Sequence, residues 1–261
     1  MVSIDGPPNI NFVHARVYFS PNAIKRHPID AIINNMCGRF TLTLSIADLK
    51  DYIAKQYDIF DIDESLYAPR YNIAPTQPVL AIIHDGISYR IGNLKWGIIP
   101  ENRSDEKSGY ALINAKAETI QNKPSFRSSF EKRRCLILAD GYYEWQKTDE
   151  GKIPYRFTLK DKSPFALAGI WASHTTKDGK KIYTCAIITT KGNKIMEGVH
   201  DRMPVIIPKK DQQIWLKKEI HDFKPLKELL IPFNSENMTR YPVSKSVNNP
   251  FIDQPHLVDP L

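Results

Sequence analysis

No two of the three cysteines, Cys37, Cys135 and Cys185, stand close enough in sequence to make a CxxC pair. Neither a zinc site built on paired thiolates nor the even-numbered framework of a disulfide-stapled secreted domain is indicated, and a reducing compartment fits. No apolar run approaches the roughly 20 residues that a membrane-spanning helix needs. The opening stretch MVSIDGPPNINFVHARVYF is broken by polar residues and Pro, and it lacks the basic-then-apolar order of a signal peptide. Internal repeats and low-complexity tracts are also missing. These absences point to a soluble, cytoplasmic chain that calls for no membrane, no metal and no other cofactor.

What is present suits one domain. The chain has 261 residues, 42% of them hydrophobic and 25% charged, enough for an ordinary globular core. A net charge of +7 permits a nucleic-acid partner without requiring one. Residues 1–35, rich in Asn, Ile and Pro, show no sustained period and read as an N-terminal extension outside the mature protein. Residues 36–250 form the domain, and 251–261 a C-terminal tail.

Ser45 followed by Asp48 resembles a capping box, and Ile46, Leu49 and Ile53 fall on one helical face. Strands dominate after Pro78. Val79 to His84 and Ile87 to Trp96 flank the turn pair Asp85-Gly86. Asp140-Gly141 is expected to join Cys135–Ala139 to Tyr142–Gln146 in the same way. Asp178-Gly179 precedes Ile182–Thr189, and Phe165–Ala172 and Val205–Ile207 add apolar runs. Helices are expected again over 209–219 and 225–230. Strands and helices do not alternate regularly, so the expectation is an α+β fold: a mostly antiparallel, strongly curved, barrel-like sheet with a few flanking helices.

Cys37 follows Met36 in MCGRF, and the pair reads as a start site whose initiator Met is removed. A terminal Cys carries an amine with a reference pKa of about 7.7–8.0 and a thiol near 8.5. Together they capture an aldehyde: the amine forms an imine, and the thiol closes a five-membered thiazolidine. The plainer alternative is an internal Cys acting as a small apolar residue.

Other polar residues stand in apolar settings. Asn114, Lys116 and Glu118 alternate in INAKAET and would share one face of a strand. Glu144 lies between Tyr143 and Trp145, where desolvation would raise its pKa and suit it to proton transfer. His200, in EGVHDRMPVII, titrates near neutrality. Arg39 and Arg202 could bind phosphate, and Phe40 could stack on a base or pack in the core. Trp96, Tyr142, Tyr143 and Trp145 are mostly core candidates. The run Lys132-Arg133-Arg134 reads as a solvated face or a phosphate contact.

MCGRF at 36–40, RYNIAPTQ at 70–77, KWG at 95–97, INAKAET at 113–119, ADGYYEW at 139–145, HDRMP at 200–204 and YPVSKSV at 241–247 together resemble the SRAP (SOS-response-associated peptidase) family. The resemblance covers residues 36 to about 250. It implies recognition of abasic sites in single-stranded DNA by a monomer, nucleoid-associated if bacterial, and a covalent thiazolidine crosslink through Cys37. By the same resemblance, Asn114 orients the Cys amine and the sugar, Glu144 handles protons, and His200 assists ring opening and crosslink reversal. Arg39, Lys116 and Arg202 match positions that grip the DNA backbone; many members have Arg at the Lys116 position. Bacterial members often carry paired aromatics after the WG motif, and WGIIPENRSD has none. Three other readings compete. They are an N-terminal-nucleophile amidohydrolase, a thiol peptidase using Cys37 and His200, and a non-catalytic single-strand binder.

Overall fold

A computed structural model describes residues 37–100, 112–176, 178–218, 220 and 222–261. The expected extension 1–35, the start at Met36 and part of the segment after Gly97 lie outside the described residues.

The strands, in chain order, are β1 (Arg39–Leu42), β2 (Arg70–Ile73), β3 (Pro78–His84), β4 (Tyr89–Trp96), β5 (Asn114–Lys116), β6 (Arg134–Ala139) and β7 (Gly141–Thr148). They continue with β8 (Gly151–Leu159), β9 (Phe165–Thr175), β10 (Lys181–Lys191), β11 (Arg202–Pro204), β12 (Ile206–Ile207) and β13 (Met238–Pro242). One sheet has five strands in the order β13-β8-β7-β1-β2. In the other, β10, β4, β3, β6 and β9 close into a ring through the β9–β10 pairing, with β5, β11 and β12 attached. The pairings are antiparallel except where β4 and β5 run parallel to β10. This is the expected α+β, barrel-like architecture.

Local chemistry explains the elements. Ser45 Oγ accepts from the Asp48 N–H at 3.1 Å and caps α1 (Ile46–Tyr57), which buries Leu49, Ile53 and Tyr57 on one face. The β3–β4 hairpin turns at Asp85, whose Oδ1 accepts from the Ile87 and Ser88 N–H groups at 2.8 Å each. β6 is buried throughout and apolar after Arg134, with β3 on one side and β9 on the other. Cys135 on β6 faces Gly169 on β9, and a Cβ there would meet the Cys135 Sγ at 2.7 Å. The short helices α2 (Pro124–Lys132), α3 (Gln212–Leu216) and α4 (Lys224–Glu228) flank the sheets. Trp215, fully buried, anchors α3 by donating its Nε1–H to the Cys135 carbonyl at 2.9 Å.

Several expectations are corrected. Asp140-Gly141 is not a hairpin turn: β6 lies in the ring and β7 in the other sheet, so the pair is a corner. The Asp140 carboxylate ties that corner to Thr41, Thr43 and Arg156. The helix expected over 209–219 shortens to a 3-10 turn and α3. β5 ends at Lys116, so Glu118 sits on the following 3-10 turn rather than on the same strand face. In the 132–134 run, Arg134 is buried and donates to four main-chain carbonyls, of Phe130, Glu131, Trp215 and Lys217; it binds the α2 end to the α3 end.

Residues 251–261 are also part of the packed domain. Asp253 accepts from the Tyr71 and Asn72 N–H groups at 2.6 and 2.9 Å and pairs with Arg70. Leu257 is fully buried with Tyr143, Val243 and Val247. The Tyr143 hydroxyl donates to the Tyr71 carbonyl at 2.8 Å, which adds β7 to the same clamp.

Candidate active site

The site forms where the two sheets meet. β1 pairs antiparallel with β7, with Arg39 opposite Tyr143 and Phe40 opposite Tyr142. Cys37, two residues before β1, is thereby carried past Tyr143 to the level of Glu144. From the ring, β5 aligns Asn114 with Ile187 on β10. The residue before it, Ile113, is held from two directions, since its carbonyl accepts from Trp96 Nε1 at 2.9 Å and from the Ile187 N–H at 3.0 Å. The Asn114 Nδ2 then donates across the gap to the Cys37 carbonyl at 3.1 Å.

Cys37, Asn114 and Glu144 therefore converge, and all three are buried. The Cys37 thiol lies beside the Glu144 carboxyl, and each acts on the titration of the other. Burial, then the neighbouring carboxyl, pushes the Cys37 thiol well above its usual range, while the positive charge of Arg202 pulls weakly the other way. Burial raises Glu144 to about 8, opposed by the adjacent Cys37 thiol and assisted by the negative charge of Asp201. At neutral pH this pair is a thiol beside a carboxylic acid. Asn114 Oδ1 and Glu144 Oε1 are buried acceptors without a partner among the described residues. Such atoms are costly unless a donor joins them.

His200 lies to one side, on an open cleft of about 410 Å³ formed by the 192–201 segment. Its Nδ1 is 3.0 Å from the Arg202 N–H and 3.1 Å from the Asp201 carboxylate. These contacts ask for opposite states of Nδ1. Burial lowers the His200 pKa, so the imidazole is neutral, Nδ1 accepts the backbone proton, and Nε2–H is the donor available to a ligand. No hydrogen bond joins His200 to Cys37 or Glu144 among the described residues.

The four positions expected to touch DNA divide. Lys116 is exposed at the end of β5. Arg202 is nearly buried and bound to Glu118 and Thr189. Arg39 is corrected: only 1% exposed, it donates to Asn72 Oδ1 at 2.8 Å and to the Val247 carbonyl at 2.7 Å. Desolvation lowers it to about 10. It offers no phosphate-facing surface and acts as a strut between β1 and the 243–259 segment. Of the two readings of Phe40, core packing holds and base stacking does not. It is buried edge-on against Trp96, with ring centroids 5.3 Å apart, and presents no face to a base.

Sequence reasoning missed Asn72, whose Nδ2 donates to the carbonyls of Val247, Asn249 and Ile252. Its signal was visible as an amide between Tyr71 and Ile73 in a strand. Tyr142, read from the sequence as a core candidate, is fully buried beside Cys37 and Glu144, and its hydroxyl meets Met196 Sδ at 3.2 Å.

The SOS response associated peptidase (SRAP) family model matches residues 36–250. Abasic site processing protein YoqW of Bacillus subtilis is 45% identical over 226 residues, covering 86% of this chain and 99% of that protein. Abasic site processing protein HMCES of Xenopus tropicalis is 31% identical, over 82% of this chain and 75% of its own length. A crystal structure of a Bacteroides thetaiotaomicron protein superposes with a TM-score of 0.76 at 27% identity, over 86% of this chain and all of that one.

Proposed function

Because the chain belongs to the SOS response associated peptidase family, we propose that it processes abasic sites in DNA, capturing them on single strands by a covalent bond to Cys37. The observation that carries this reading is the convergence on Cys37 of a carboxyl raised to about 8 and an amide that holds the Cys37 carbonyl. Relatives that bear the name abasic site processing protein at up to 45% identity agree with it. The active polypeptide begins at Cys37, since only then is an α-amine available. It acts as a monomer in the cytoplasm.

The chemistry balances on one carboxyl. The neutral α-amine adds to the open-chain sugar aldehyde and gives a carbinolamine. Glu144, protonated at neutral pH, gives its proton to the departing hydroxyl; water leaves and an iminium remains. The Glu144 carboxylate then takes the Cys37 thiol proton, and the sulfur attacks the iminium carbon. The product is a thiazolidine, and Glu144 ends as it began. The iminium meets a thiol that already lies beside its base, so ring closure is intramolecular and pre-oriented. Asn114 fixes the Cys37 main chain during both steps. His200, neutral, presents Nε2–H to the sugar oxygen that must be freed for the aldehyde to form.

The test uses single-stranded DNA with one abasic site, incubated with protein beginning at Cys37 and resolved on a denaturing gel. Cys37→Ala abolishes the crosslink. Cys37→Ser keeps the amine and leaves only an imine that borohydride traps. A heat-stable adduct from Cys37→Ser without reductant overturns the thiazolidine mechanism.

A further inference from the structure

Arg202 does not stand ready for a phosphate. Its Nη1 and Nη2 meet the two carboxylate oxygens of Glu118 at 2.6 and 3.0 Å, and Nη2 also donates to the Thr189 carbonyl at 2.6 Å. The two-pronged grip is the one by which an arginine takes two oxygens of a phosphodiester. The partners are unequal. The Thr189 carbonyl belongs to β10 and cannot leave, and the Arg202 side chain is 11% exposed, whereas that of Glu118 is 42% exposed. Glu118 alone can be drawn off without opening the core. Glu118 also stands two residues from exposed Lys116, whose positive charge acts on it. Lys116 and Arg202 thus flank a single, partly exposed carboxylate.

An ion pair with one partner open to solvent is screened, so its net contribution to stability is modest. Its consequence lies in what it withholds: the fork geometry and one unit of positive charge, beside the strand that carries Asn114. Building on the DNA reading above, we propose that Glu118 occupies the place of a DNA backbone phosphate on Arg202, and that a phosphate of the bound strand displaces it. The carboxylate weakens the grip on every strand, damaged or intact. Retention at a lesion is thereby left to the covalent step.

The experiment measures binding of a fluorescent, undamaged single-stranded oligonucleotide by anisotropy across a salt series, so that it does not depend on crosslinking. Glu118→Gln should tighten binding about three- to tenfold at low salt, because the phosphate no longer has to displace a carboxylate from Arg202, and the gain should shrink as salt rises. In an Arg202→Gln background the same change should give less than a twofold gain. An Arg202→Lys background, which keeps the charge but loses the fork, should shrink the gain as well, and it serves if Arg202→Gln fails to fold. Unchanged or weaker binding by Glu118→Gln overturns the proposal, including the case in which neither protein binds DNA. A gain of equal size in all backgrounds also overturns it, because the effect is then a general field and not occupancy of Arg202. Crosslinking of an abasic oligonucleotide by the unsubstituted protein is scored separately, so its failure strikes the function reading alone.

Discussion

At the residue scale the governing fact is the desolvation of Glu144. Its carboxyl is raised from 4.5 to about 8, so in the folded protein it keeps a proton that the unfolded chain loses near 4.5. The folded state binds the extra proton between those values, and stability falls as pH rises across that window and levels off above it. Glu144→Gln removes the titration. Its melting temperature relative to the unsubstituted protein should therefore rise between pH 5 and pH 8.5; a constant difference would show that Glu144 titrates normally. Catalysis follows the same group. Amine addition needs a neutral amine, and water departure needs protonated Glu144, so the crosslinking rate should be bell-shaped with its maximum near 8. Glu144→Gln should slow crosslinking about 10²–10⁴-fold and lose the descending limb, as single-turnover rates across pH will show.

At the element scale, the segment past Pro250 supports the reactive end. Asp253 holds the β2 main chain, β2 pairs with β1, and Asn72 and Arg39 bind β1 and β2 to the carbonyls of the 247–252 stretch. Asp253→Ala leaves two backbone N–H groups and the Arg70 Nε–H without their acceptor. It should lower the melting temperature and slow crosslinking, while affinity for undamaged DNA stays within about twofold, since Lys116 and Arg202 lie on other strands. Equal losses of affinity and rate would indicate general unfolding instead. Within the ring, Gly169→Ala drives a methyl to 2.7 Å from Cys135 Sγ and 3.0 Å from Ile137 Cδ1. It should destabilise by about 1–3 kcal/mol, measured by denaturant titration; a neutral result would mean that β6 and β9 can separate at no cost.

At the scale of the whole molecule, the charge of +7 and the sequence-tolerant character of backbone binding predict salt-sensitive affinity. The log–log slope should be about −0.7 or steeper for each phosphate neutralised on a single strand, and an affinity that does not change with salt would exclude an electrostatic groove. Protein isolated from its native host should begin at Cys37, as intact mass measurement will show. A protein that retains residues 1–35 and still forms the thiazolidine would refute the requirement for a free amine.

The sequence by itself determined those features that depend on neighbours along the chain. Ser45 and Asp48 cap a helix, Asp85-Gly86 turns a hairpin, and Cys37, Asn114, Glu144 and His200 stand out because each is a reactive or polar residue in an apolar frame. Motif order was enough to indicate the family. Contacts between distant segments were left to the tertiary structure. Arg39 and Arg202 look alike as exposed cations in sequence, yet one is a buried strut bonded more than 200 positions away and the other is held by Glu118. Asp140-Gly141 has the composition of a turn, but the sheet order made it a corner. The physical reason is the same in each case. Helix caps and turns are decided by hydrogen bonds within a few residues, whereas burial, the raised pKa of Glu144 and the occupancy of an arginine depend on which strands the fold lays side by side.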